Sequence, residues 1–294
     1  MAENLIETLG KGALPDKYDN RDFKLSFAGS VNVDWSKEYR VPDPGDDDQG
    51  SSDSCVAHAW SYYHKQLKGK DYSRRDLFCR IFLDYGAYIR DGGKEIVGRG
   101  QATKAEVKDP NYQTEANMRS TANTSDEHRE DDKELNYFVL PQQDINGVAW
   151  GIKNYKGVVF GLQGDNQGWK DMTNPEPPSY GVSVWGHALY AMGFHMHSGQ
   201  KCIIAKSSWT RSGVKEHHIK ENYFITGNTF NAWTLIPKGQ FMNEHVKIIN
   251  YKGTIFIGVG AKDIPQAQSL GEAFGKQVQV NENGEITNAD ITIN

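Results

Sequence analysis

Apolar positions in the first half of the chain recur at helical spacing. From Cys55 to Leu67 no residue breaks a helix. Ser51, Ser52, Asp53 and Ser54 offer caps before it and Gly69 offers a stop after it. Leu77, Ile81, Tyr85 and Tyr88 recur every three to four residues. That spacing predicts a second helix over 73–90, capped by Ser73 and stopped by Asp91-Gly92-Gly93. Residues 101–124 are poorly patterned and hold at most a short helix. The mostly acidic run over 125–134 reads as a solvated loop or helix face.

Beyond about residue 135 the period changes. Short β-rich runs at 137–140, 157–162, 187–194, 201–207 and 223–225 alternate with Gly, Asn and Pro turns. Helices first and strands second predict an α+β protein with a seam between two lobes, where sites often lie. Ahead of this core, residues 1–30 form a weakly patterned arm with turn signals at Gly10, Gly12 and Pro15. Behind it, 246–249, 254–259, 277–280 and 286–293 read as strands, the last two flanking the hairpin signal Asn283-Gly284. The chain therefore divides into an arm (1–30), a core domain (31–240) and a β-rich extension (241–294). Within the core, a helical lobe spans about 45–130 and a β lobe about 135–240.

Composition narrows the function. A chain of 294 residues, 37% hydrophobic and 24% charged, can bury a substantial core and suits a soluble globular protein. No apolar run reaches the roughly 18 residues of a membrane span. A net charge of −5 lacks the basic excess of a nucleic-acid binder. The first residues show no basic and apolar leader pattern, so cytoplasmic synthesis is expected. Three cysteines (Cys55, Cys79, Cys202) make no disulfide framework and suit a reducing compartment, with Cys79 and Cys202 read as core. Zinc-type Cys/His spacing is absent, and His195-x-His197 and His217-His218 lack a third ligand motif. No metal and no cofactor are expected.

The candidate chemistry starts at Cys55, the first helical position. There a thiol faces unpaired backbone N–H groups and the positive end of the helix dipole, which favour thiolate. Such a nucleophile needs a base, a group that orients the base, and donors for an oxyanion. His187, in Gly186-His187-Ala188 at the head of a strand, is the candidate base. Lys206-Ser207-Ser208-Trp209 follows it. Gln49, six residues before Cys55, can aim its NH₂ beside the Cys55 N–H.

These motifs, in this order, resemble the papain-like cysteine peptidases. That family reads Gln-Gly-x-Cys-Gly-Ser-Cys-Trp-Ala, then a His-Ala strand, then Lys-Asn-Ser-Trp-Gly. Here stand Gln49-Gly50-Ser51-Ser52-Asp53-Ser54-Cys55-Val56-Ala57, Gly186-His187-Ala188 and Lys206-Ser207-Ser208-Trp209. His187 follows Cys55 by 132 residues, within the family interval of about 130–150. Val33-Asp34-Trp35 resembles the opening of the mature enzymes, and Asp91-Gly92-Gly93 their cleft-lining Asn-Gly-Gly loop.

The resemblance implies a papain-like two-lobed fold, with the central nucleophile helix of a helical lobe packed against a β-barrel-like lobe. It implies hydrolysis of a protein or peptide substrate: attack by Cys55, proton transfer by His187, an oxyanion held by Gln49 and the Cys55 N–H, and shielding by Trp209. Gly92, Gly93, Gly186 and Trp209 would line the substrate cleft. The departures mark a divergent, bacterial or phage-like variant. Ser207 stands where the family has the Asn that orients the His, and so takes the third catalytic place, Val56 stands where it has Trp and Thr210 where it has Gly. The arm is too short to be the family's inhibitory pro-segment. Ser207 and the β extension also support an alternative, a catalytically weak domain serving a larger assembly such as a viral particle through residues 241–294.

Overall fold

The computed structural model describes residues 9–19, 33–121, 135–140 and 144–237, with Glu7, Asp22, Arg129 and Glu130, and the backbone of 246–251 and 254–259. The chain forms two units. The first takes in the arm, the helices and most of the sheet. The second contains an antiparallel hairpin of Val246–Tyr251 with Thr254–Val259. The hairpin anticipated around Asn283-Gly284 lies outside the described residues.

Within the first unit the helical lobe is built around α1 (Cys55–Lys68). Its run of Ala, Tyr, Trp and straight-chain residues ends at Gly69, which adopts the left-handed conformation (φ 75°) and bonds back to the Lys65 carbonyl. The helix is buried over its first ten residues, Cys55 through His64. It is a core helix that happens to begin with a thiol. His58 and His64 are absorbed there by packing, bonded to Gln113 and Gln101.

The second predicted helix is broken in two. Helix α2 (Arg74–Ile81) starts at Ser73, whose hydroxyl accepts from the Asp76 N–H, and stops at Phe82, which is extended. Helix α3 (Ile89–Arg99) then contains Asp91, Gly92 and Gly93, the residues read as a loop. The reason is tertiary: a Cβ on Gly92 would come within 2.3 Å of the Trp60 ring, and on Gly93 within 2.7 Å. The two glycines let α3 lie directly on α1. The structure corrects the loop reading: both glycines lie inside the helix, at its contact with α1. Helix α4 (Glu115–Arg119) supplies the short helix expected within 101–124.

Asp76 is the ionic centre of this lobe. Fully buried, it accepts from Arg80 (3.0 Å), from Arg129 (3.0 and 3.1 Å) and from the Ala102 N–H (2.9 Å). Arg129 comes from the run read as a solvated face, of which only residues 129 and 130 are described. Replacing Asp76 with alanine removes the carboxylate that two guanidinium groups share and the acceptor of the Ala102 N–H. It is expected to cost about 3–5 kcal/mol, read as a lower urea midpoint at unchanged slope.

The β lobe is one seven-stranded sheet. Its main path runs β10 (His217–Lys220), β9 (Gln200–Lys206), β8 (Trp185–His197), β7 (Val158–Gly164), β11 (Thr229–Pro237), β6 (Leu135–Leu140), with β2 (Tyr39–Arg40) also paired to β8. Helix α5 (Ile145–Tyr155) packs on β7, β8 and β9. Residues 223–225, read as a strand, end the short helix α6 (Glu221–Ile225) instead. The remaining two-residue strands are β1 (Ala13–Leu14) with β3 (Ala87–Tyr88), and β4 (Gln101–Ala102) with β5 (Arg129–Glu130).

Candidate active site

The nucleophile helix and the central strand meet at Cys55. Its Sγ is fully buried, and the backbone of Ala188, the residue after His187, and of Gly12 from the arm favours its thiolate form. The sheet thus brings the strand of the predicted base onto the predicted nucleophile. Burial dominates the local electrostatics: it pushes the Cys55 thiol up to about 12, against the N–H donors that favour thiolate. His187 is also fully buried, and burial followed by the nearby His217 and Lys11 holds it well below the usual imidazole range. In this state both partners are neutral.

The His187 ring stacks on Trp209 at 3.8 Å and 19°, so Trp209 covers the base as expected. Neither ring nitrogen has a hydrogen-bond partner among the described residues. Ser207 therefore does not orient His187. Its hydroxyl pairs with His217 Nε2 at 2.7 Å. His217 Nδ1 faces the Met172 carbonyl, which can only accept, so Nδ1 carries the proton and Nε2 accepts from Ser207. Burial holds His217 at about 4, which keeps it neutral. The Ser207 oxygen also accepts the Trp209 N–H at 3.2 Å. The reading of Ser207 as orienter is corrected: its one proton is committed to His217, a residue the spacing argument passed over. Ser207→Ala leaves a buried Nε2 unpaired and is expected to cost about 1–3 kcal/mol of stability, measured by urea unfolding.

Gln49 is fully buried and its amide is fully engaged. Its Nε2 donates to the Gly10 carbonyl (2.9 Å) and to the Ser52 carbonyl (2.5 Å), and its Oε1 accepts from Ser208. Trp209 Nε1 donates to the same Gly10 carbonyl at 2.9 Å. One main-chain carbonyl of the arm thus takes donors from both Gln49 and Trp209.

The arm runs on through the seam. Lys11 N–H bonds Asp53 (3.0 Å), the Gly12 carbonyl accepts the Ala87 N–H (2.8 Å), and Ala13–Leu14 pair in parallel with Ala87–Tyr88. The fit is too close for side chains. A Cβ on Gly10 would lie 1.7 Å from the Ser52 oxygen, and on Gly12 2.2 Å from the Asp53 oxygen. Gly186 lies against the arm as closely: a Cβ added there would be 2.1 Å from the Ala13 carbonyl oxygen. Beyond the seam the Asp16 carboxylate accepts from the Arg90 N–H (2.9 Å) and Trp233 Nε1 (2.7 Å), anchoring the arm. Short as it is, the arm fills the cleft. Residues 9–14 lie against the buried thiol in extended form.

Comparison with solved structures agrees with this architecture. Xylellain, a cysteine protease from Xylella fastidiosa, superposes with a TM-score of 0.65 at 20% identity, over 78% of this chain and 97% of that one. Procathepsin L 3 from the larval midgut of Tenebrio molitor gives 0.59 at 14%, over 80% and 78%. The recombinant stem bromelain precursor gives 0.55 at 15%, over 81% and 80%. No protein-family model and no curated protein matches the sequence. The chain has the papain-like α+β two-lobed fold.

Proposed function

We propose that this protein is a cysteine peptidase held latent by residues 9–14 of its own chain. The observation that carries the reading is the arm itself. An extended peptide lies across a buried thiol at a helix N-terminus, its carbonyl held by Gln49 and Trp209. These are the groups that would handle a substrate.

Opened, the site supports a definite sequence of steps. Water and substrate replace the arm, the desolvation of Cys55 falls, and the helix N-terminus again favours thiolate. Leaving with the arm, Lys11 takes away a positive charge that opposes the imidazolium of His187. The Cys55 thiolate attacks the peptide carbonyl, and the oxyanion takes the donors now spent on Gly10. His187 protonates the leaving amine and then activates the water that hydrolyses the thioester. Trp209 keeps bulk water off the base. Its large stacked face does part of the work of orientation that Ser207 does not.

A second reading, a catalytically weak domain used for assembly, draws on the same committed Ser207 hydroxyl and the unpartnered His187 nitrogens. Turnover of a fluorogenic peptide by protein freed of its arm separates the two. The peptidase reading expects cleavage that thiol alkylation abolishes, with free acid as product even when an amine is added. Absence of cleavage supports the assembly reading, and an amide product would make the chemistry acyl transfer.

A further inference from the structure

Away from the cleft, histidines that form two separate pairs in the sequence come together as three. His195 and His197 lie on β8 and His218 on β10, with β9 between them. A bulge in β8 decides which face they share. Ala191 stands opposite Ala205, but Gly193 stands opposite Ile204, so β8 carries one extra residue and its side chains change face there. Across β9, His217 is opposite Ala205 and His218 is opposite Ile204. His217 therefore shares the face of Ala191, while His218 shares the face of Gly193, His195 and His197. Arg40, opposite Gly193 on β2, joins the second group.

On that face one ring nitrogen from each of His195, His197 and His218 lies within 4.8 Å of the other two. His195 Nε2 and His218 Nδ1 are 2.8 Å apart. Nitrogens bound to a tetrahedral zinc at about 2.0–2.1 Å are separated by about 3.3 Å, so small ring movements convert the cluster into a ligand set. The outward nitrogens are also provided for. His195 Nδ1 faces Glu38 at 3.9 Å, and His218 Nε2 faces Glu216 at 3.8 Å. Arg40 holds both carboxylates, Glu216 by two bonds of 2.8 and 2.9 Å and Glu38 at 3.5 Å. Two histidines thus turn one nitrogen inward and the other toward a nearby carboxylate, which a small movement would bring into hydrogen-bonding range of a ligand imidazole.

We propose that His195, His197 and His218 bind a divalent transition ion of the zinc class, with Glu38 and Glu216 as outer partners and water in the remaining position. The ion ties β8 to β10 across β9. These strands carry His187 and His217, so the clamp braces the sheet that holds the candidate base. The site is independent of the peptidase reading.

The test uses the full chain with Cys55→Ser, so that the thiol does not compete for metal. It is titrated with Co²⁺ and then with Zn²⁺. One equivalent of Co²⁺ should give the visible bands of a four-coordinate ion, bleached by Zn²⁺. His197→Gln is the decisive variant, because it leaves the His195–His218 hydrogen bond intact. It should weaken binding by at least about tenfold, and Glu216→Gln by about 10–100-fold. Thermal unfolding in chelator should be unchanged by His197→Gln, which controls for folding. Substoichiometric uptake, or uptake that His197→Gln and His218→Gln leave unaltered, would overturn the proposal.

Discussion

Valine at positions 10 and 12 is expected to switch the protein on. Gly10 and Gly12 are the two arm positions whose added Cβ would strike backbone oxygens, those of Ser52 and Asp53, and backbone cannot yield as a flexible side chain does. The side chains therefore expel the arm and leave the core domain intact. With the thiol at about 12, only on the order of one molecule in 10⁵ carries thiolate at pH 7 while the arm is docked. Release rehydrates Cys55 and removes Lys11 from His187. If the docked form outweighs the open one by about 100 to 1, full release raises peptide turnover by about 100-fold. The sign with pH is also fixed. Alkylation of Cys55 in the wild type should keep rising with pH beyond 9, whereas the released variant should level off nearer neutrality. Equal labelling rates and equal profiles would remove the arm from the account.

The second large effect belongs to the reacting pair. In the released background, Cys55→Ser and His187→Ala are each expected to lower kcat/KM by about 10³-fold or more, with little change in KM. Combining them should cost little beyond either one, because the two side chains act as a unit. Ser207→Asn should keep or raise kcat/KM, since an amide offers His187 a partner that the hydroxyl, turned to His217, does not. A Ser207→Asn variant as damaged as His187→Ala would return Ser207 to a direct catalytic role.

The nucleophile helix was legible because everything that makes it is local: an unbroken run, cap residues ahead and a left-handed glycine behind. The order of Gln49, Cys55, His187 and Trp209 was enough for the papain-like fold. What escaped is set by contacts between distant segments. Gly92 and Gly93 are helix breakers by propensity, yet the close approach of α3 to Trp60 puts them inside a helix. Helix α5 was missed because Asn146, Gly147 and Gly151 blur its period, although its buried face makes it stable. The arm gives no local sign that the Gly10 carbonyl will meet a side chain 39 residues further on. Ser207 was read from its place in the family's Lys-Asn-Ser-Trp motif, whereas its true partner arrives on β10, a strand too short and polar to be read. The metal cluster was hidden in the same way, since the third histidine comes from that strand.

The most direct measurement is active-site labelling of the arm-released protein by an epoxide thiol reagent, with mass mapping of all three cysteines. The account predicts one equivalent on Cys55, turnover lost in step with labelling, and no reaction at Cys79 or Cys202. Label spread evenly over the three, or turnover that survives full modification of Cys55, would contradict it.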